Sequence, residues 1–305
     1  MTLDEALHQA CAAVGIEPPR GRLDMRRWVA CNVIGKGSAG KGDGRVICDE
    51  QRATAVNWVT GEKATVWLAG KESITPADRA RYAREVGEAE RKAKARAAEA
   101  AEIASRLIKQ AVPGSHPYMI RKGFPDERPL VIDADQVRRI AGGYMVSENG
   151  ASAIIIPARA GQNITSAQLI WEDGTKQFLF GGAMRGATHR VATGRDTWLA
   201  EGYATSLSLR AALRGLNRRD TVLMCFSAAN IATVAATIRG HCYVAADHDK
   251  PQPQFGGIGT GEHYARKSGR PYIMPAEPGD VNDLHQAAGI FAVQRLVTQM
   301  MRKVA

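Results

Sequence analysis

The chain has 305 residues, 45% of them hydrophobic, a net charge of +10 and five cysteines. That length and apolar content suffice for one to three globular domains with a sizeable core, and the excess of Lys and Arg favours an anionic partner, for which nucleic acid is the usual candidate. No apolar run approaches the roughly 20 residues that span a bilayer. The acid-bearing M-T-L-D-E-A-L-H start is not that of a signal peptide, and Cys11, Cys31, Cys48, Cys225 and Cys242 form no C-x-x-C pair, which argues against a zinc ribbon or disulfide framework and for the reduced thiols of a cytoplasmic protein with no membrane partner.

Residues 2–15 read as an amphipathic helix, with Thr2 as cap, Asp4 and Glu5 in the first turn and Gly15 at the end. Short apolar runs then alternate with Gly-rich turns over 27–70, predicting a small β-rich unit. Within it, Gly35 to Gly42 matches most of a P-loop, but the position that should offer a Ser or Thr to Mg²⁺ is Gly42 and no apolar helix follows. It reads as a basic hairpin tip able to touch phosphate through Lys36 and Lys41. Thr75-Pro76-Ala77-Asp78 is a helix start, and the helix to about Gln110 carries charges of alternating sign, as a solvated spacer does. A short helix ending at Gly123, strands over 153–158 and 165–171, a hairpin turn at 172–175 and a return strand over 176–180 follow.

From residue 196 strands and helices alternate: strand 197–200, helix 203–214; strand 222–226, helix 228–238; strand 242–246, helix about 260–268; strand 271–274, helix about 286–302. A βαβα order implies a parallel sheet. Its loops carry the acidic residues. Glu201-Gly202 follows the first of these strands, Asp247-His248-Asp249 the third, and Asp280 and Asp283 the fourth. Side chains at the carboxyl ends of parallel strands face one crevice, and several hard oxygen ligands there suit Mg²⁺ at work on phosphates. In an extended segment Asp247 and Asp249 face one way while His248 faces the other; two like charges so close favour a cation between them. Glu201 serves as metal ligand, as proton acceptor, or simply as an acid at a helix N-terminus. Asp280 and Asp283 complete the metal site or cap the last helix. Lys250, Lys176, Arg185, Arg121 and Lys122 are candidate phosphate contacts, and Gly202 allows close approach of a ligand. The Gly256–Gly261 loop is a weak phosphate-loop pattern or a linker.

Glu-Gly, Asp-x-Asp and the trailing Asp-x-x-Asp-Leu, each after an apolar run, resemble the motifs of the Toprim domain, the catalytic module of bacterial-type primases, topoisomerases and some nucleases. His116-Pro-Tyr-Met-Ile-Arg-Lys-Gly-Phe resembles the segment that opens the RNA-polymerase core of those primases, and 168–181 the hairpin before Toprim in phage and plasmid primases; 42–67 is similar to the N-terminal unit of conjugative-plasmid and phage primase-like proteins. The resemblance implies an α/β chain in which a Rossmann-like, mainly parallel Toprim domain (193–305) follows an α+β primase-core subdomain (113–192), a charged helical linker (73–112) and a small zinc-less N-terminal α+β unit (1–72). It implies a nucleotidyltransferase making short RNA primers on single-stranded DNA in phage or plasmid replication or transfer. Glu201, Asp247 and Asp249 would be catalytic and, with Asp280, would bind Mg²⁺, with Mn²⁺ as a substitute and no zinc. Gly202, Lys250, Lys176, Arg185, Arg121, Lys122 and Asp283 would face nucleotide or template. NTPs and template are the expected partners, and a replicative helicase or a relaxase the candidate protein partner. The alternatives are a Toprim metal-dependent nuclease using the same carboxylates, and a non-catalytic single-stranded-DNA-binding protein of a mobile element.

Overall fold

Thr2 opens the first helix as expected. Its side chain accepts from the Glu5 backbone in a reciprocal capping box, and α1 (Leu3–Val14) ends at Gly15, whose φ of 68° is left-handed. A side chain at Gly15 would also run into Gln254, whose Cδ lies 2.8 Å from where its Cβ would be. In the computed structural model residues 1–21, 23–35, 42–68 and 76–304 are described. The lysine-bearing part of the P-loop-like stretch, 36–41, and the expected cap Thr75 lie outside the described residues.

Strands β1 (Val29–Cys31), β2 (Gly44–Cys48), β3 (Arg52–Asn57) and β4 (Glu62–Trp67) form an antiparallel sheet in chain order. Alternation puts Val46, Cys48, Ala53 and Ala55 on the face that α1 covers with Ala6, Leu7, Ala10, Cys11 and Val14. Asn57, fully buried, donates from Nδ2 to the Val14 carbonyl at 2.8 Å and ties sheet to helix. Burial pushes the Cys11 thiol up to about 12 and the Cys31 thiol up to about 11. All five cysteines are buried and free.

The chain divides into two units. Met1–Val86 and Asp249–His263 make one; Gly87–His248 and Tyr264–Ala305 make the other. The boundary falls inside the 35-residue helix α2 (Pro76–Gln110), at the glycine that interrupts its charged sequence. From Ala100 on the helix is not a solvated spacer, because Ala100, Ala104 and Leu107 are buried in a core with β-strand residues.

In the second unit, β5 (Val112–Pro113), β6 (Leu130–Asp133), β7 (Ser152–Ala160), β8 (Asn163–Trp171) and β9 (Lys176–Phe178) form an antiparallel sheet in that order. Helix α3 (Pro117–Arg121) and α4 (Ala134–Ala141) fall between its strands. β6 and α4 were not anticipated. β7 splits its side chains between two cores. Ala153 and Ile155 meet the α2 and α4 residues, whereas Ile154, Ile156 and Ala158 meet Tyr118, Met119, Tyr203 and Leu207.

The remaining strands β10 (His189–Ala192), β11 (Thr197–Ala200), β12 (Thr221–Met224), β13 (Cys242–Ala245) and β14 (Tyr272–Ile273) make a sheet of order β10-β12-β11-β13-β14. β12, β11, β13 and β14 are parallel, as the alternating pattern requires, and β10 adds an antiparallel edge that was not anticipated. Helices α5 (Tyr203–Gly215), α6 (Ala228–Ala235) and α7 (Thr260–Lys267) follow β11, β12 and β13. The single helix expected over 286–302 is instead two: α8 (Val281–Ala288), which Asp280 caps, and α9 (Ile290–Val304), separated by Gly289 at φ 75°. Both faces of the sheet are covered. Trp198, Ala200, Tyr243 and Ala245 pack with Leu209, Leu213, Val293 and Val297, while Leu199, Leu223 and Val244 pack with Ile231, Val234 and Ala265. Among the described residues no helix is long and apolar enough to cross a membrane.

Candidate functional site at the carboxyl rim of the parallel sheet

β11 lies between β12 and β13, so the strand order reverses there, and a crevice opens at the carboxyl ends of such strands. Ala200 pairs with Ala245, which sets Glu201, one residue past β11, beside the exit of β13 that leads to Asp247. Gly202 caps α5 with extended backbone, and its carbonyl accepts from both the backbone N–H and the hydroxyl of Ser206, at 3.0 and 2.8 Å. A methyl group at Gly202 would lie 3.9 Å from Nζ of Lys176, which puts that cation next to the Glu-Gly turn. Burial pushes the Cys225 thiol up, and the negative charge of Glu201 adds to the shift.

Phe226 marks the same rim. Its backbone N–H donates to the Glu201 carbonyl at 3.0 Å, and its φ is 68°. Left-handed backbone at a bulky aromatic residue costs on the order of 1–3 kcal/mol, and such strain collects at functional sites. Nothing in the residue types around Phe226 signals this, and sequence reasoning missed it. It also missed Asn230, whose amide holds three backbone groups: it accepts from Gly186 N at 2.6 Å and donates to the Ala187 and Cys225 carbonyls at 2.8 Å each.

The β13 exit is tied to the start of α8. His248 and Gly279 exchange backbone hydrogen bonds at 2.8 and 3.1 Å, which brings Asp280 beside the His248 segment. The His248 ring engages the Pro275 carbonyl through Nδ1 at 3.1 Å, so the imidazole is turned to backbone. Asp280 Oδ1 accepts from the N–H groups of Asn282 and Asp283, and Asp283 returns the bond to Asp280 N at 3.0 Å. Both aspartates thus form a capping box, and Asp283 Oδ1 also lies 3.6 Å from Lys122 Nζ. The α3 segment docks here: Asn282 donates to the Lys122 carbonyl at 3.0 Å and Gln286 to the Arg121 carbonyl at 2.6 Å. Burial, aided by the Asp280 charge, pushes the Tyr118 phenol up to about 12.

Glu201, Gly202, Asp247, Lys176, Asp280, Asp283, Arg121 and Lys122 therefore belong to one unit. Asp249 and Lys250 belong to the other, in which Asp249 Oδ2 accepts from the Gly261 N–H at 2.8 Å. Arg185 is exposed in the loop before β10. The donor set is all oxygen and suits Mg²⁺ better than Zn²⁺. Among the described residues no three His, Cys, Asp or Glu side chains gather as a metal-holding group. Mg²⁺ commonly takes only one or two carboxylates, filling its shell with substrate phosphates and water, so a pair from neighbouring strand ends fits its demand.

No family model matches the chain. Among solved structures, it is similar to a chain in the complex of bacteriophage T7 lagging-strand DNA polymerase interacting with primase domains bound to an RNA/DNA hybrid and dTTP. The match covers 50% of this chain and 78% of that chain at 14% identity with a TM-score of 0.35, a level that carries no inference about this protein.

Proposed function

We propose that this chain is a primase-like nucleotidyltransferase of the Toprim type, which makes short RNA primers on single-stranded DNA for a phage or plasmid. The observation that carries the reading is the placement of Glu201 and of the β13 exit leading to Asp247 at neighbouring strand ends where the sheet order reverses. The cations Lys176, Arg121 and Lys122 in the same unit support it. Glu201 and Asp247, from neighbouring strand ends of one unit, would hold Mg²⁺. The chemistry such an ion supplies is a lowered pKa at a 3′-hydroxyl and neutralised charge on a triphosphate. Glu201 accepts a proton or ligates. Lys176 meets phosphate at the Gly202 turn, where the missing side chain leaves room for close approach.

The test is template-directed synthesis from NTPs with Mg²⁺. Asp247→Ala abolishes product formation while near-UV circular dichroism stays that of the wild type; product formation that survives the substitution sinks the assignment.

A second reading, a non-catalytic single-stranded-DNA-binding protein, is favoured by the engagement of Asp280, Asp283 and Asp249 with backbone N–H groups at helix starts. It predicts DNA affinity that falls steeply with salt and ignores Mg²⁺.

A further inference from the structure

Three aromatic rings at one edge of the antiparallel sheet face water. Phe178 on the edge strand β9 is 39% exposed, Phe180 just beyond it is 66% exposed, and Tyr144 is 56% exposed. The Phe180 N–H donates to the Tyr144 hydroxyl at 3.3 Å, and the Arg96 guanidinium lies over the Phe180 ring at 5.3 Å. Phe178 meets Phe226 edge to face at 6.2 Å, and Phe226 is bonded to the Glu201 carbonyl. Lys176, at the start of β9, reaches the Gly202 turn.

Exposed aromatic side chains gathered at one sheet edge mark a binding surface. The chemistry around this one selects the partner. It is flanked by Arg96 and Lys176, and it leads to the rim that carries Glu201. A flat π-face beside a cation suits a nucleobase with its phosphate, because stacking tolerates any base and Lys and Arg take the backbone charge.

We propose that Phe178, Phe180 and Tyr144, with Arg96 and Lys176, form a ledge on which a single-stranded polynucleotide stacks its bases before its end reaches the Glu201 rim. The role of that end rests on the nucleotidyltransferase reading; the stacking does not.

Fluorescence anisotropy in EDTA, without nucleotides and at fixed salt, tests it with a labelled oligothymidylate of about twelve nucleotides, within the usual site size, and an abasic strand of equal length. The wild type binds the base-bearing strand at least about tenfold more tightly, the scale of one base–aromatic stack. Phe180→Ala removes about tenfold of the affinity for the base-bearing strand and leaves the abasic strand unchanged; Phe180→Trp restores the preference. Equal affinities for wild type and Phe180→Ala, or an equal loss on both strands, overturn the ledge. So does a wild-type dimer, seen by sedimentation, that Phe180→Ala dissolves, since the rings would then cover a second copy. Asp247→Ala keeps the base preference. A preference lost in Phe180→Ala while no protein makes product refutes the polymerase reading alone. Product from the wild type with binding unmoved in Phe180→Ala refutes the ledge alone.

Discussion

In β11 the residues Trp198, Leu199 and Ala200 are all fully buried, whereas β9 leaves Lys176 and Phe178 exposed. The first strand sits at the middle of a parallel sheet with helices on both faces; the second is the edge of an antiparallel one. Parallel strands all end on the same side, so short-range polar chemistry gathers at one shared rim, and the strands themselves carry only packing. Antiparallel strands end on alternate sides and share no such rim. What that sheet offers a ligand is its edge, where side chains and backbone are not covered. Within one unit, strand direction thus separates the shared rim of one sheet from the open edge of the other.

The widest break of that division comes from the parallel core. Trp198 is fully buried, stacks at a tilt 4.9 Å from Tyr243 and donates from Nε1 to Asp220 at 3.1 Å. Trp198→Ala should cost on the order of 4 kcal/mol in denaturant unfolding. A loss under about 1 kcal/mol would mean that β11 is not sealed on both faces and that the contrast with β9 fails.

The seam between the two sheets gives the next largest effect. His189 on β10 donates from Nδ1 to the Pro157 carbonyl of β7 at 3.2 Å and packs edge to face with Tyr203, 5.9 Å away. Burial lowers its pKa from 6.5 to about 4. The unfolded chain therefore takes up this proton more readily than the folded one. The stabilisation is complete above pH 6.5 and is lost as pH falls towards 4, by on the order of 3 kcal/mol in all. Urea midpoints measured between pH 7 and pH 4 should fall more steeply for the wild type than for His189→Gln; parallel curves would show that the ring does not titrate at this seam.

The smallest effect sharpens the reading of the rim. Asp280→Ala removes the acceptor for two backbone N–H groups of α8 and should cost about 1 kcal/mol of stability. If product formation falls far more than this loss of folded protein explains, Asp280 serves the reaction as well as the helix.

The parts of the molecule that were legible in the sequence are those whose signals are local. Thr2 and Glu5 wrote the start of α1, the turn at 172–175 wrote the β8–β9 hairpin, and four apolar runs wrote the parallel strands. The missed elements lack such signals. β6 is four residues running straight into α4, whose eight residues include two arginines and two acids or amides in the first turns. β10 is a short strand whose partner β12 comes only after β11 and α5 in the chain, so no local signal marks it. The start of α8 was legible as two possibilities, because an aspartate pair three residues apart suits a capping box and a cation equally well. The rings of the β9 edge were visible as residues, but only their exposure sets them apart from core aromatics.

The excursion of residues 249–263 has a consequence for how the polypeptide is made. The first unit holds Met1–Val86 and this late segment, and Gln254 stands against Gly15 within it. On the ribosome the α1–β4 layer emerges long before the strand of chain that completes it. Domains usually fold as they leave the tunnel, N-terminal part first. A nascent chain ending before residue 249 therefore holds the α1–β4 core but lacks the segment that stands against Gly15.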